Sequence, residues 1–154
     1  EDAPLEKVLP KLTKVYGDRY KGYTLKQLCQ EMHNYYRGNK TFTLQQELFA
    51  KPNMQNYPMT PEHADYLFMK NESELVNLDD VKGRIAAEGA LPYPPGVFIV
   101  APGEKWSDID QKYFEILVGA IERFPGFVPE IQGVYWDQKA DGKIRVQAEV
   151  LKEN

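Results

Sequence analysis

The stretch that most constrains how this chain can fold is residues 89–96, where three prolines and two glycines surround a single tyrosine, Tyr93. Proline fixes its own backbone torsion and restricts the residue before it, whereas glycine admits conformations that other residues avoid. The segment is therefore predicted to be neither ordinary helix nor ordinary strand. Rigid, irregular segments of this kind usually place a few side chains at a site or a contact.

The composition bounds the class of protein. At 154 residues, 42% of them hydrophobic, the chain can bury one sizeable core, or a large lobe with a small one. The net charge of −4, without a cluster of basic residues, argues against nucleic acid as a partner. No apolar run approaches a membrane span, and one cysteine, Cys29, indicates a reducing compartment. We therefore expect a soluble, cytoplasmic protein that does not bind membranes.

Helical patterns dominate the first half of the chain. Apolar residues at helical spacing begin at Leu5, and Pro10 predicts either a kink or a later helix start. Thr24 and Gln27 form a capping box before an apolar stripe, and Gly38 supplies a stop. Helices are predicted over 5–16, 25–36, 44–50 and 61–70, the last two beginning after Thr43 and Thr60.

The second half mixes strands with one long helix. Ser107 caps a helix of about four to five turns that ends near Phe124. The continuous apolar run Val97–Ala101 predicts a strand buried on both faces. Further strands are predicted over 75–78, 133–136 and 144–151, with a turn at Asp141-Gly142 and with Asp79-Asp80 capping a single helical turn. The class is α+β: a helical N-terminal half, followed by a small mixed or antiparallel sheet packed with a long helix.

A resemblance to a known family rests on residues 83–97, Gly-Arg-Ile-Ala-Ala-Glu-Gly-Ala-Leu-Pro-Tyr-Pro-Pro-Gly-Val, and on Ala-Pro-Gly-Glu at 101–104. Together with 28–33 and 124–135, these motifs resemble the C-terminal domain of bacterial pyridoxal-phosphate-dependent ornithine/lysine/arginine decarboxylases. The Ala-Ala-Glu-Gly-Ala version at 86–90 is most similar to the inducible ornithine decarboxylases. The resemblance implies that 1–154 is one C-terminal domain, mainly helical over 1–72 and α+β over 73–154.

The resemblance also implies an activity that this chain does not carry alone. The complete enzyme would convert ornithine to putrescine and carbon dioxide with pyridoxal phosphate, on a catalytic domain absent from this chain. The family's cofactor lysine follows a histidine, and neither His33 nor His63 is followed by lysine. We therefore expect no catalytic, cofactor-binding or metal-binding residues here, and an isolated chain that is inactive. The partners implied are the catalytic domain and further copies, as a dimer or larger homo-oligomer.

Three residues are candidates for the substrate entrance. Glu88 and Glu104 stand beside glycines at the edges of the rigid segment, where a carboxylate could orient the distal ammonium of a diamino acid. Tyr93 could line the same mouth. The competing interpretations are that Glu104 binds backbone amides of its turn or pairs with a neighbouring base, and that Tyr93 packs as a wedge. Arg84 is interpreted as an ion-pair partner of Glu88 rather than as a binder of a substrate carboxylate.

Other chemically interesting residues have structural explanations. His33 and His63 are interpreted as surface or packing residues, and Cys29 as a small buried hydrophobe on its helix. The ten tyrosines fit either the edge of an ordinary core or an interface-rich part of a larger assembly, and both interpretations stay open. Two other functions also stay open: a lysine or arginine decarboxylase domain, and a stand-alone, non-catalytic interaction module.

Overall fold

A computed structural model describes residues 2–53, 57–140 and 143–153 of the chain, apart from the side chain of Pro52. Helices come first along the sequence and strands mostly later, which confirms the predicted α+β class. The helices of the first half are α1 (Leu5–Val8), α2 (Pro10–Val15), α3 (Gly17–Tyr20), α4 (Leu25–Gly38), α5 (Thr41–Leu48) and α6 (Pro61–Met69), with a 3-10 turn at Lys51–Asn53.

Local sequence signals explain where α2 and α4 begin. Pro10 stands at the first position of α2, where it has no amide hydrogen to leave unpaired, and so it separates α1 from α2. The predicted capping box of α4 is present, because Thr24 and Gln27 bond each other's backbone amides. The predicted start of α5 after Thr43 is wrong. A left-handed turn at Lys40, with φ of 53°, begins this helix at Thr41 instead.

The remaining elements form a sheet, a strand pair and one long helix. They are β1 (Ser73–Asn77), β2 (Leu91–Tyr93), α7 (Asp108–Arg123), β3 (Glu130–Gln132), β4 (Val134–Gln138) and β5 (Ile144–Leu151), with a 3-10 turn at Leu78–Asp80. An antiparallel sheet has the order β1-β5-β4, and β2 pairs separately with β3. The predicted Asp141-Gly142 turn lies outside the described residues. The prediction that Asp79 and Asp80 cap a helical turn is wrong, because both lie within the 3-10 turn and Asn77 is its N-cap.

Two predictions for the proline-rich region are wrong. Residues 97–101 form no strand: Val97 and Phe98 are 50% and 49% exposed, and only Val100 makes an isolated bridge, with Ala90. Conversely, β2 is a short strand that contains Pro92, which lies opposite Ile131. Both strands of a two-stranded sheet are edge strands, and an edge strand tolerates the missing amide hydrogen of proline.

Helix α7 joins two hydrophobic cores. The larger core lies between α7 and the sheet, and its largest fully buried side chains are Val81, Val100, Trp106, Phe114 and Val150. The smaller core lies under the N-terminal helices, where Leu5, Tyr20 and Leu28 pack with Phe124 at the end of α7. Each fully buried large apolar side chain contributes about 1.5–3 kcal/mol to folding.

A charged cluster fastens the N-terminal helices to α7. The carboxylate of Glu31 lies 2.8 Å from the guanidinium of Arg19 and 3.0 Å from that of Arg123, and the hydroxyl of Tyr23 donates to it at 2.9 Å. Burial opposes ionisation of this carboxyl group. The Tyr23 hydrogen bond and the two arginines outweigh it, so the pKa of Glu31 falls below its ordinary value.

Candidate functional site

Backbone hydrogen bonds on both sides anchor the segment that leads into the proline-rich loop. On one side, the amide of Ala86 donates to the Glu104 carbonyl at 2.8 Å, and the amide of Ala90 donates to the Val100 carbonyl at 2.8 Å. On the other side, the amide of Ala87 donates to the Glu149 carbonyl in β5 at 3.1 Å. Residues 85–90 therefore lie between β5 and residues 99–105, and this fixes the backbone from which Glu88 and Glu104 project.

Beyond β2, the loop turns through two cis peptide bonds, Tyr93–Pro94 and Pro94–Pro95. The amide of Gly96 donates to the Pro92 carbonyl at 3.1 Å and closes the turn, with φ of +80° at Gly96. The ring of Tyr93 folds against this glycine: a methyl group there would lie 3.1 Å from Tyr93 Cδ2. Tyr93 is 52% exposed, so its place in the structure suits a surface contact.

Glu88 is half-buried, and its carboxylate accepts a hydrogen bond from the hydroxyl of Tyr135 on β4. Partial burial, this hydrogen bond, and the charges of Glu88 and Glu149 raise the pKa of Tyr135 to about 12. Tyr135 therefore keeps its proton at physiological pH and remains a hydrogen-bond donor.

The predicted ion pair between Arg84 and Glu88 is wrong. The guanidinium of Arg84 donates to Glu74 at 2.6 Å and to the Leu151 carbonyl at 2.9 Å, and its Nε lies 3.3 Å from Glu153. Side chains four residues apart meet on a helix, but in an extended segment they are about 13 Å apart along the chain. With 15% of its side chain exposed, Arg84 fastens this segment to β1 and the end of the chain.

Glu104 stabilises its own turn. Its carboxylate accepts a hydrogen bond from the backbone amide of Ala101 at 2.7 Å, as the competing interpretation expected. The hydroxyl of Tyr57 shares a hydrogen bond with Glu104, and this bond and the charge of the carboxylate raise the pKa of Tyr57. The Glu104 carboxylate is half-buried, and in the described part of the chain it bonds both to its own turn, at Ala101, and to Tyr57.

Backbone pairing links the segments that carry Glu88 and Glu104, while the two carboxylates accept hydrogen bonds from different residues, Tyr135 and Ala101. Glu88 and Glu104 lie on backbone segments that pair directly, while Tyr93 lies further along, on β2 and at the start of the turn. Phe98, which the sequence assigned to a buried strand, covers Gly89: a methyl group there would lie 2.7 Å from Phe98 Cδ1. We call four side chains of this region the entrance face, defined as the half-buried Glu88 and the exposed Tyr93, Phe98 and Tyr135.

The sequence interpretation missed Tyr135 and Phe98 as members of this face. Tyr135 lies 47 residues from Glu88, so no local pattern connects the two. The signal that could have indicated Tyr135 is Gly133, two residues before it, because a glycine at a strand start often permits a close backbone approach.

The remaining candidates are surface residues. His33 and His63 are both exposed, as predicted. Cys29 is exposed as well, so its prediction as a buried hydrophobe is wrong: it follows Leu28, whose side chain takes the inward position on α4. Among the described residues, no group of three or more His, Cys, Asp or Glu side chains could hold a metal ion, and no helix is long and apolar enough to span a membrane.

The sequence of residues 42–152 matches the family described as Orn/Lys/Arg decarboxylase, C-terminal domain. The chain belongs to this family. It is 53% identical over 141 residues to the inducible ornithine decarboxylase of Lactobacillus sp. (strain 30a), a match that covers 92% of this chain and 19% of the relative. It is 50% identical over 151 residues to the inducible ornithine decarboxylase of Escherichia coli (strain K12), covering 98% of this chain and 20% of the relative.

Solved structures agree on the fold of this family domain. Lysine decarboxylase A from Pseudomonas aeruginosa superimposes with a TM-score of 0.85 at 30% identity, over 98% of this chain and 20% of the other. The constitutive lysine decarboxylase of E. coli gives a TM-score of 0.82 at 28% identity, over 98% of this chain and 21% of the other. The chain thus spans about a fifth of the length of the relatives it matches.

Proposed function

We propose that this domain is part of a pyridoxal-phosphate-dependent ornithine decarboxylase, which converts ornithine to putrescine and carbon dioxide. The observation that carries the proposal is a difference in identity. Four ornithine decarboxylases share 46–53% of residues with this chain, whereas the lysine and arginine decarboxylases share 30–34%. Ornithine is therefore favoured over its longer homologue lysine and over arginine as the substrate.

The cofactor would be bound by the rest of the enzyme. Pyridoxal phosphate is bound through a lysine and supplies an electron sink for the bond that breaks when carbon dioxide leaves. Every lysine among the described residues is exposed, and the one buried acid, Asp110, caps α7 through Ser107. These residues do not fit the cofactor, so no step of the reaction is assigned to them.

This domain would cover the entrance to the active site and orient the incoming substrate. The entrance face presents the Glu88 carboxylate among half-exposed aromatic rings, with Glu104 on the paired segment. A carboxylate attracts an alkylammonium group, and an aromatic face adds to this attraction when the cation lies over it. The role assigned to Glu88, Tyr93 and Glu104 is electrostatic orientation of the substrate rather than proton transfer. Because exposed charge pairs contribute about 0–1 kcal/mol, the effect of each carboxylate on substrate binding is expected to be small.

The exposed surface supports a role inside a larger assembly. Large apolar side chains are exposed on several elements, among them Phe42 at 72% and Met69 at 71%. Exposed apolar side chains that form a contiguous patch are typical of sites where another protein surface docks, and these side chains would contribute to such a patch. We assign this surface to contacts with the catalytic domain and with further copies in a homo-oligomer, and we place the enzyme in the cytoplasm. An evolved stand-alone module would expose less of it.

Complementation tests this proposal. The chain is titrated into an ornithine decarboxylase that lacks its C-terminal fifth, and carbon dioxide release is followed from ornithine, lysine and arginine. We expect turnover to be restored, with ornithine preferred. A matched control is the corresponding region of a lysine decarboxylase, which should restore less turnover. A well-folded chain that neither associates nor restores turnover would contradict the proposal and favour a binding module.

A further inference from the structure

Tyr135 contacts the candidate entrance from a different part of the fold. It lies on β4, where it is paired with Gln147 of β5, and its hydroxyl donates a hydrogen bond to the Glu88 carboxylate. A free glutamate side chain rotates about three bonds and samples many orientations, whereas a hydrogen bond to the ionised carboxylate is directional and strong. The contact therefore restricts where the charge of Glu88 lies.

A close backbone approach holds Tyr135 in place. Gly133 has φ of +74°, and a methyl group there would lie 2.8 Å from the Gly89 carbonyl carbon and 3.0 Å from Ala90 Cα. Only glycine permits both the torsion and this approach. The start of β4 is therefore locked against the residues that directly follow Glu88.

Phe98 restricts the same region from another side. Its ring covers Gly89 so closely that a methyl group there would lie 2.7 Å from Phe98 Cδ1. Glu88 is thus restrained in three ways. The backbone beside it is anchored to β5, the ring of Phe98 covers the next residue, Gly89, and its own carboxylate accepts the hydrogen bond from Tyr135.

The geometry points to Tyr135 as a positioning residue, whose hydroxyl holds the Glu88 carboxylate in the orientation that meets the distal ammonium of a diamino-acid substrate. The inference rests on the proposed function and deepens it. Tyr135 acts through Glu88 and needs no contact with substrate. Its effect should therefore appear in KM rather than kcat, should weaken as salt screens the charge, and should vanish when Glu88 is neutral.

Steady-state kinetics of a complete enzyme that carries this domain test the inference. The variants are Tyr135→Phe, Glu88→Gln, the double variant, and Tyr66→Phe as a matched exposed-tyrosine control on α6. At low salt we expect Glu88→Gln to raise KM for ornithine about 3- to 5-fold and Tyr135→Phe about 2-fold, with kcat unchanged. The double variant should match Glu88→Gln alone. At about 0.5 M salt the differences should shrink, and Tyr66→Phe should match the parent enzyme.

The outcomes separate this inference from the proposed function. If Glu88→Gln raises KM while Tyr135→Phe does not, or if the two effects add, the positioning role is wrong and the role of Glu88 stands. If Tyr135→Phe raises KM but also lowers kcat and the melting temperature, its role is structural, which also overturns the inference. An unchanged KM in Glu88→Gln would contradict the steering role of Glu88. The complementation experiment would still test whether the domain belongs to an ornithine decarboxylase.

Discussion

Gly133 is the residue on which the placement of the candidate entrance most depends, and Gly133→Ala is the sharpest test of that placement. Alanine at φ of +74° costs about 1–2 kcal/mol in backbone strain. The new methyl group would also lie 2.8 Å and 3.0 Å from backbone atoms of Gly89 and Ala90, which cannot rotate away. Overpacking of this kind costs about 1–3 kcal/mol. The free energy of unfolding should therefore fall by about 2–5 kcal/mol in total.

Gly22 offers a matched control for the strain alone. It has φ of +76°, and a methyl group there would meet no atom within 4 Å, so Gly22→Ala should cost about 1–2 kcal/mol. Urea unfolding of the parent and the two variants measures each free energy of unfolding, provided that the slope of the transition is shared. Equal losses for Gly133→Ala and Gly22→Ala would refute the close approach of β4 to residues 89–90, and with it the account of how Tyr135 reaches Glu88.

Three further predictions concern Glu104, the charged cluster and the cap of α7. In a complete enzyme, Glu104→Gln should raise KM for ornithine about 2-fold without changing cofactor absorbance, and an unchanged KM would retire its steering role. Glu31→Gln should lower the free energy of unfolding by about 1 kcal/mol at pH 7, because the carboxylate lies 2.8 Å from Arg19. Since the folded-state pKa of Glu31 is lowered, this stabilisation is present above the unfolded pKa and is lost as pH falls through the folded one. A parent–variant difference that persists at about pH 2 would contradict this assignment. Ser107→Ala should cost about 1–2 kcal/mol in thermal unfolding, because Asp110 loses its hydroxyl partner at 2.6 Å, and an unchanged melting temperature would contradict that role.

The sequence was sufficient to predict the elements that carry their own local signals. Helices α4 and α7 begin at capping boxes and present apolar stripes, so their positions follow from residues within a few turns of each other. The alternation along β5 is equally local. These elements also determine the α+β class, because one long helix beside a short antiparallel sheet permits few other arrangements.

The errors fall where distant parts of the chain decide the outcome. The apolar run 97–101 has the composition of a buried strand, yet Phe98 is held outward because its ring packs over Gly89. Strand β2 forms through Pro92 because its partner, β3, arrives from 39 residues further on. No local pattern could have shown either contact.

The candidate site was predicted only in part, for the same reason. The rigid segment and the exposed position of Tyr93 follow from prolines and glycines nearby. The partners of Glu88 and Arg84 come from β4, β1 and the end of the chain, so sequence proximity suggested the wrong pair. Burial and hydrogen bonding of these side chains are set by tertiary packing, which spacing along the chain does not encode.

The most direct measurement is a structure of the complete enzyme with ornithine bound, from which the distance between the substrate's distal nitrogen and the Glu88 carboxylate is read. We predict that the entrance face borders the path to the active site, and that the two groups lie within about 10 Å, the distance beyond which salt at about 0.1 M largely screens the attraction between exposed charges. An entrance face that points to bulk solvent, or that lies in an interface away from the active site, would contradict the account.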